Sequence, residues 1–358
     1  MQITFRHQLA RYSLLCGLMI ILYKKKTLFL RDCYMTALEN NQNITSIPII
    51  DISGLLDNDI QTHQNIASHI RKACLDKGFF YITGHGVSKA LQDKVFEYSK
   101  LFFSLPPEQK KQWSKELSEA NRGYEPLRAQ TLEPNSPPDI KEGFYIGKER
   151  SPSDPFVIHK AFNQGPNQWP DIDGFKEVME EYQVELIKVS ERLMRAIALS
   201  LNLEADYFTE FCKDADLVTL RLLHYPPQPA NAQPNEKGCG AHTDFGGLTL
   251  LLQDHNRGLQ VWDQSTNQWI WAEPIEDSYV VNLGDLISMW TNNTYRSTLH
   301  RVINISGGER YSVPFFYSGN HQYQIECIRE CLEENSEPLY PPISVEQHYR
   351  NMFKKTYI

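Results

Sequence analysis

The chain has 358 residues, 41% of them apolar and 11% aromatic, with a formal net charge of −8. That suffices for one large buried core or two modest ones, and the charge gives nucleic acid no basic patch to bind. The seven cysteines are odd in number and include no C-x-x-C pair. This argues against a disulfide framework or a zinc ribbon and for a reducing, cytoplasmic setting.

Residues 1–34 stand apart. Tyr12 to Tyr23 is an apolar run flanked by Arg11 and by Lys24-Lys25-Lys26. It is shorter than the roughly 20 residues a membrane-spanning helix needs, so no stable membrane insertion is expected. The Lys triplet occupies the place where a signal peptide would carry its small-residue cleavage site. Met35 reads as an ordinary start, so residues 1–34 are expected to be a tail outside the fold, with a membrane-associating or targeting segment as the alternative.

Ile47 to Ile52 is rich in β-formers. Ile60, Ile66, Ile70 and Cys74 then follow a mostly helical spacing, and Gly78 is placed to end that helix. Gly78 to Gly86, GFFYITGHG, reads as a strand entering a tight turn. Ser88 caps a second helix with Leu91, Val95, Tyr98 and Phe102 on one face, closed by Pro106-Pro107. Residues 118–172 are rich in Pro, Asn and Gly and read as irregular loops that either bind a ligand or cover the core.

Gly174 to Leu203 predicts one long amphipathic helix, with Phe175, Val178, Tyr182, Leu186, Val189, Leu193, Ile197 and Leu201 as its apolar stripe. From Leu217 the pattern switches to strands at 217–225, 248–253, 258–263, 269–272, 279–283, 286–291, 297–305 and 311–318. So many short strands suggest a closed or double-layered barrel of the jelly-roll kind. Ser344 to Tyr357 ends the chain as a helix, with Ser344 and Gln347 as a capping box.

The stretch with chemistry in it is Ala241 to Leu251, AHTDFGGLTLL. Of the 11 histidines only His242 has a carboxylate two residues on, Asp244. In extended backbone, positions i and i+2 share a face, so an imidazole and a carboxylate converge on one ion. His300, in YRSTLHRVINI, offers a third ligand. Two histidines and one carboxylate on one face of Fe(II) leave positions open for oxygen chemistry. Zinc is the rival metal, but a zinc hydrolase would want a nearby general base such as the Glu of H-E-x-x-H, and none is present. Cys239 reads as a small wall residue. Arg310 and Ser312 are again i and i+2 on a strand, a guanidinium fork and a hydroxyl suited to a carboxylate.

HTDFGGLTLL, LHRV and RYSVPFF together resemble the C-terminal half of the 2-oxoglutarate/Fe(II)-dependent dioxygenases, in the isopenicillin N synthase-like family. The resemblance spans about residues 46–340. It implies a mixed α/β, mainly β fold, in which a double-stranded β-helix (jelly-roll) barrel is backed by helices under an N-terminal α/β cover. The implied organisation is a tail (1–34), a cover (46–172), a jelly-roll core (173–340) and a C-terminal helix (341–358). It also implies His242, Asp244 and His300 as iron ligands, with Arg310, Ser312 and Tyr225 on the distal carboxylate of 2-oxoglutarate. Tyr124, Phe144 and Tyr145 become candidates for the substrate wall. The family often carries Asn two residues before the Tyr, where this chain has Leu223. His224 points away from Tyr225 and is read as packing. The implied activity is oxidation, by hydroxylation, of a small organic substrate with release of succinate and CO2. It consumes O2, with ascorbate as the expected reductant. An oxidase of the same fold that does not use 2-oxoglutarate stays open, and oligomeric state is not legible.

Overall fold

Two β-sheets face each other, and helices cover the outer side of the larger one. This computed structural model describes residues 47–228, 235–304 and 306–356; the predicted tail, 1–34, lies outside the described residues. In chain order the elements are β1 (Ile49–Asp51), α1 (Ile60–Asp76), β2 (Phe79–Thr83), α2 (Lys89–Phe103), β3 (Gly123–Glu125), β4 (Glu142–Gly147), α3 (Phe175–Ser200), β5 (Val218–Tyr225), β6 (Cys239–His242), β7 (Leu248–Gln253), β8 (Leu259–Asp263), β9 (Gln268–Trp271), β10 (Tyr279–Leu283), α4 (Asp285–Trp290), β11 (His300–Val302), β12 (Arg310–Tyr317) and α5 (Val345–Thr356). The large sheet runs β1-β2-β10-β7-β12-β5-β4-β3 and the small one β6-β11-β8-β9. The result is the mixed α/β, mainly β jelly roll. No helix among the described residues is long and apolar enough to cross a membrane.

Strand alternation divides the core in two. In β2, Phe80 and Ile82 pack toward the helices, while Phe79 and Tyr81 face the space between the sheets. In β10, Tyr279, Val281 and Leu283 face the helices and Val280 faces inward. All eight predicted stripe residues on and just after α3 are buried against the outer face. Each such side chain contributes about 1.5–3 kcal/mol of burial. The inner space is left partly open, and the site lies there.

Three expectations are corrected. The predicted strand at 286–291 is instead helix α4 with Thr291 as its C-cap, because Leu286, Ile287 and Trp290 bury one helical face. Residues 118–172 are not wholly irregular, since β3 and β4 extend the large sheet beside β5. These strands lack polar/apolar alternation because one face meets the helical core and the other meets the cavity. The predicted capping box is half formed. Ser344 Oγ accepts the Gln347 N–H at 3.1 Å, but the Gln347 side chain donates to Asn351 instead.

Candidate active site

His242 ends β6 and His300 begins β11, directly opposite each other in the small sheet. Asp244 follows two residues after His242. The Nε2 atoms of His242 and His300 lie 3.8 and 3.7 Å from Asp244 Oδ1. Those separations are too long for hydrogen bonds. All three donor atoms fall within 4.8 Å of one another, leaving room for one ion between them.

The hydrogen bonds behind the triad fix which atoms face that gap. His242 Nδ1 donates to the Gly240 carbonyl (2.8 Å) and His300 Nδ1 to the Thr298 carbonyl (3.1 Å). A carbonyl only accepts, so each Nδ1 carries the proton and each Nε2 presents a lone pair. Thr249 Oγ1 (2.6 Å) and Asn282 Nδ2 (2.7 Å) both donate to Asp244 Oδ2, which leaves Oδ1 for the ion. Burial lowers the His300 pKa to about 4, helped by neighbouring His242, and burial likewise lowers His242. Burial would raise Asp244, but His300, His242 and its two donors outweigh it and hold the carboxyl below its usual range. Neutral imidazoles and an ionised carboxylate are the forms that bind a metal. Cys239 Sγ lies 3.9 Å from His242 Nδ1, on the protonated side of that ring, so its place is in the wall.

On one side of the triad is a lobe lined by Tyr225, Arg310 and Ser312. Tyr225 pairs with Arg310 and Leu223 with Ser312 across β5 and β12, so these side chains form two adjacent rows on the inner face. Arg310 is fully buried. Its Nε donates to the Asn256 carbonyl (3.1 Å) and its Nη2 to Gln253 Oε1 (3.0 Å), while Nη1 has no hydrogen-bond partner. No carboxylate among the described residues lies within ion-pair reach of Arg310, whose guanidinium sits 4.9 Å over the Tyr225 ring. Gly258 makes this approach possible, because a Cβ there would stand 2.6 Å from Arg310 Nε. Leu223 adds no polar group, but Lys141 lines the same lobe. Lys141 pairs with Asp139, whose Oδ1 accepts the Gly240 N–H at 2.8 Å.

On the other side is a wider lobe that shares His242, Asp244, Arg221 and Phe316 with the first. Tyr145 lines it, opposite Arg221 in the β4–β5 register. The Arg221 guanidinium lies 4.5 Å over Tyr145 and 4.7 Å over Phe316. Tyr124 and Phe144 occupy the alternate positions and face away, which corrects their assignment to the wall. Phe144 packs on Phe102 with centroids 4.6 Å apart, and Tyr124 donates to Glu142 (2.6 Å). His224 does face away from Tyr225, but not as simple packing. Its Nδ1 meets Glu142 (2.7 Å), its Nε2 meets Glu309, and its ring stacks on Tyr311 at 4.8 Å.

Residues 47–172 match the family described as non-haem dioxygenase in morphine synthesis N-terminal, and residues 217–319 match the 2OG-Fe(II) oxygenase superfamily. The 2-oxoglutarate-Fe(II) type oxidoreductase hxnY of Emericella nidulans is 42% identical over 318 residues, covering 87% of this chain and 91% of that protein. The chain belongs to the 2-oxoglutarate- and Fe(II)-dependent oxygenase superfamily. The dioxygenase citB of Monascus ruber is 39% identical over 319 residues, 87% of this chain and 95% of that one. The crystal structure of full-length Neurospora crassa T7H in complex with alpha-KG superposes with a TM-score of 0.76 at 34% identity, covering 86% of this chain and 96% of that one.

This 2-oxoglutarate-dependent Fe(II) dioxygenase therefore carries a donor set that suits its metal, and an orphaned guanidinium N–H that suits a dicarboxylic co-substrate. Sequence reasoning missed Thr249 and Asn282, which orient Asp244, and Lys141, Arg122 and Arg221, which line the lobes. Thr249 had a usable signal. It is the one hydroxyl in the apolar run Leu248 to Leu252, and β7 places it on the inner face.

Proposed function

We propose that His242, Asp244 and His300 hold the iron, and that Arg310, Ser312 and Tyr225 receive the distal carboxylate of 2-oxoglutarate. Bound iron supplies the redox chemistry that activates O2. The chain's own part is to present two neutral imidazoles and one oriented carboxylate, to dock the co-substrate, and to keep bulk water out of the inner space. The substrate then lies in the wider lobe, against Tyr145, Arg221 and Phe316, with one C–H bond toward the triad. The reaction is hydroxylation of a small organic molecule in the cytoplasm, with ascorbate as reductant. Crystal structures of the T7H relative with thymine and with 5-formyluracil support a substrate of small-molecule size.

The observation that carries this reading is the unpartnered Nη1 of fully buried Arg310 beside the triad. A buried donor left unsatisfied costs about 1–3 kcal/mol, which a carboxylate would recover. The test is anaerobic titration of the Fe(II) protein with 2-oxoglutarate, following the visible charge-transfer band. Wild type should saturate stoichiometrically, and Arg310→Met should need far more co-substrate. Equal titration of both proteins would place the distal carboxylate elsewhere.

A further inference from the structure

Lys141 stands just before β4, and it is only 5% exposed. A lysine is rarely so deeply buried without a task for its charge. The β4–β5 register pairs Glu142 with His224 and Gly143 with Leu223, so Lys141 falls beside Tyr225, which in turn pairs with Arg310 on β12. Glu142 faces the outer side, where Lys110 and Tyr124 donate to it, and alternation turns Lys141 inward. Lys141, Tyr225 and Arg310 therefore form one row across three strands, and all three line the lobe proposed for the co-substrate.

Two partners hold the Lys141 ammonium. Asp139 Oδ2 accepts from it, and Cys239 Sγ lies 3.5 Å away. Asp139 is 2% exposed and anchored in its turn, since its Oδ1 takes the Gly240 N–H at 2.8 Å. An ammonium has three N–H donors, and a thiol sulfur is only a weak acceptor. At least one donor is thus left over, in a place from which bulk water is largely excluded. On the other side of Tyr225, Arg310 Nη1 is also without a partner. Arg310 and Lys141 bring two positive charges to this end of the lobe, and Asp139 brings one negative. A single carboxylate between the two cations would satisfy both donors and balance the charge.

Resting on the co-substrate assignment made above, we propose that Lys141 is a further co-substrate-binding residue, whose ammonium meets the distal carboxylate of 2-oxoglutarate opposite Arg310. The distal carboxylate is then held between two cations, and Lys141 adds to the selection of a 2-oxo diacid over a 2-oxo acid with an uncharged end. Asp139 anchors this cation to Gly240, whose carbonyl accepts the His242 Nδ1–H. The group that reads the co-substrate is therefore tied to the strand that carries a metal ligand.

The test compares 2-oxoglutarate with 2-oxovalerate, which has the same chain length and no distal carboxylate. Each is titrated into the full-length anaerobic Fe(II) protein, following the charge-transfer band. Lys141→Met alone leaves Asp139 buried without a counter-ion, which destabilises the fold by itself. The informative variant combines Lys141→Met with Asp139→Asn, because the two charges leave together and the amide oxygen still accepts the Gly240 N–H. Iron bound per chain, measured first, shows each variant folded and loaded. In the double variant 2-oxoglutarate should bind at least about tenfold more weakly than in wild type, with 2-oxovalerate unchanged. Lys141→Arg, which keeps the charge beside Asp139, should retain part of the preference for the diacid. A double variant that binds 2-oxoglutarate as tightly as wild type would overturn the proposal and leave Lys141 as no more than the counter-ion of Asp139. Equal weakening of both acids would also overturn it, since the loss would not then concern the distal carboxylate. If instead Arg310→Met kept the wild-type preference for 2-oxoglutarate, the co-substrate assignment itself would fall, and Lys141 with it.

Discussion

The two lobes flanking the triad are built differently. The co-substrate lobe is made of neighbouring strands, with Arg310 and Ser312 on β12 facing Tyr225 and Leu223 on β5 in fixed register. The substrate lobe draws Tyr145 and Arg221 from strands, but Arg122 and Gln130 from the segments before and after β3 and Tyr349 and Phe353 from α5. Strand positions are set by the sheet ladder and hold geometry for chemistry that does not vary. Loops and a terminal helix exchange side chains without disturbing that ladder, so the proposed substrate lobe is the one free to vary.

Breaking what both lobes share should have the largest effect. Asp244→Ala leaves two ligands and frees Thr249 and Asn282, so succinate release should fall to background and bound iron per chain should drop. Full turnover in this variant would remove Asp244 from the metal. Next comes Arg310→Ala, confined to the strand-built lobe. Loss of a charge-assisted contact worth about 1.5–3 kcal/mol should weaken 2-oxoglutarate binding by about 10- to 100-fold. Arg310→Lys should restore only part, since a point charge does not replace the fork. Iron content should not change in either variant.

A smaller effect is expected from His224, on the outer side of the same lobe. Burial pulls this imidazole down, but its hydrogen bonds to Glu142 and Glu309 outweigh that and raise its pKa above the usual value of 6.5. Two carboxylates, one at each ring nitrogen, require both nitrogens to donate, so the ring is held as the cation. A raised folded-state pKa contributes stability that is complete below the unfolded value and lost as pH rises through the folded one. The urea midpoint should therefore decline as pH climbs from 6.5 through the raised value, and His224→Gln should flatten that slope. An unchanged slope would remove His224 as its source. Smallest is Tyr145→Phe, in the substrate lobe, which removes the hydroxyl that donates to Glu125. It should shift substrate KM only a few-fold, for about 1 kcal/mol, with 2-oxoglutarate affinity untouched. A change in co-substrate affinity instead would mean that the lobes are not independent.

The same contrast explains what could be read from the sequence. His242, Asp244 and His300, and the Arg310/Ser312 pair, stand out because each is a rare polar type at strand spacing. Tyr124, Phe144 and Tyr145 could not be separated without knowing that 123–125 and 142–147 are strands. Once β4 is set, alternation alone puts Tyr145 inside and Phe144 outside. Strand spacing also overreached at 286–291, where a short apolar run looks alike in either period. Arg122 and Lys141 were invisible because a lone cation in a loop is ordinarily a solvated one. Nothing local shows that Gly147 clears space for the first, or that Asp139 ties the second to β6.

The large sheet also governs how this enzyme could be recombined with its relatives. Its strand order runs through both matched family segments, with β2 hydrogen-bonded to β10 and β4 to β5. A chimera joined in the stretch before α3 would have to recreate both seams from foreign halves, and a mismatch would bare two strand edges. Grafts confined to residues 126–138, between β3 and β4, leave every ladder intact while replacing Gln130 and Leu132 of the cavity wall. For altering what the enzyme accepts, that turn is the natural unit of exchange.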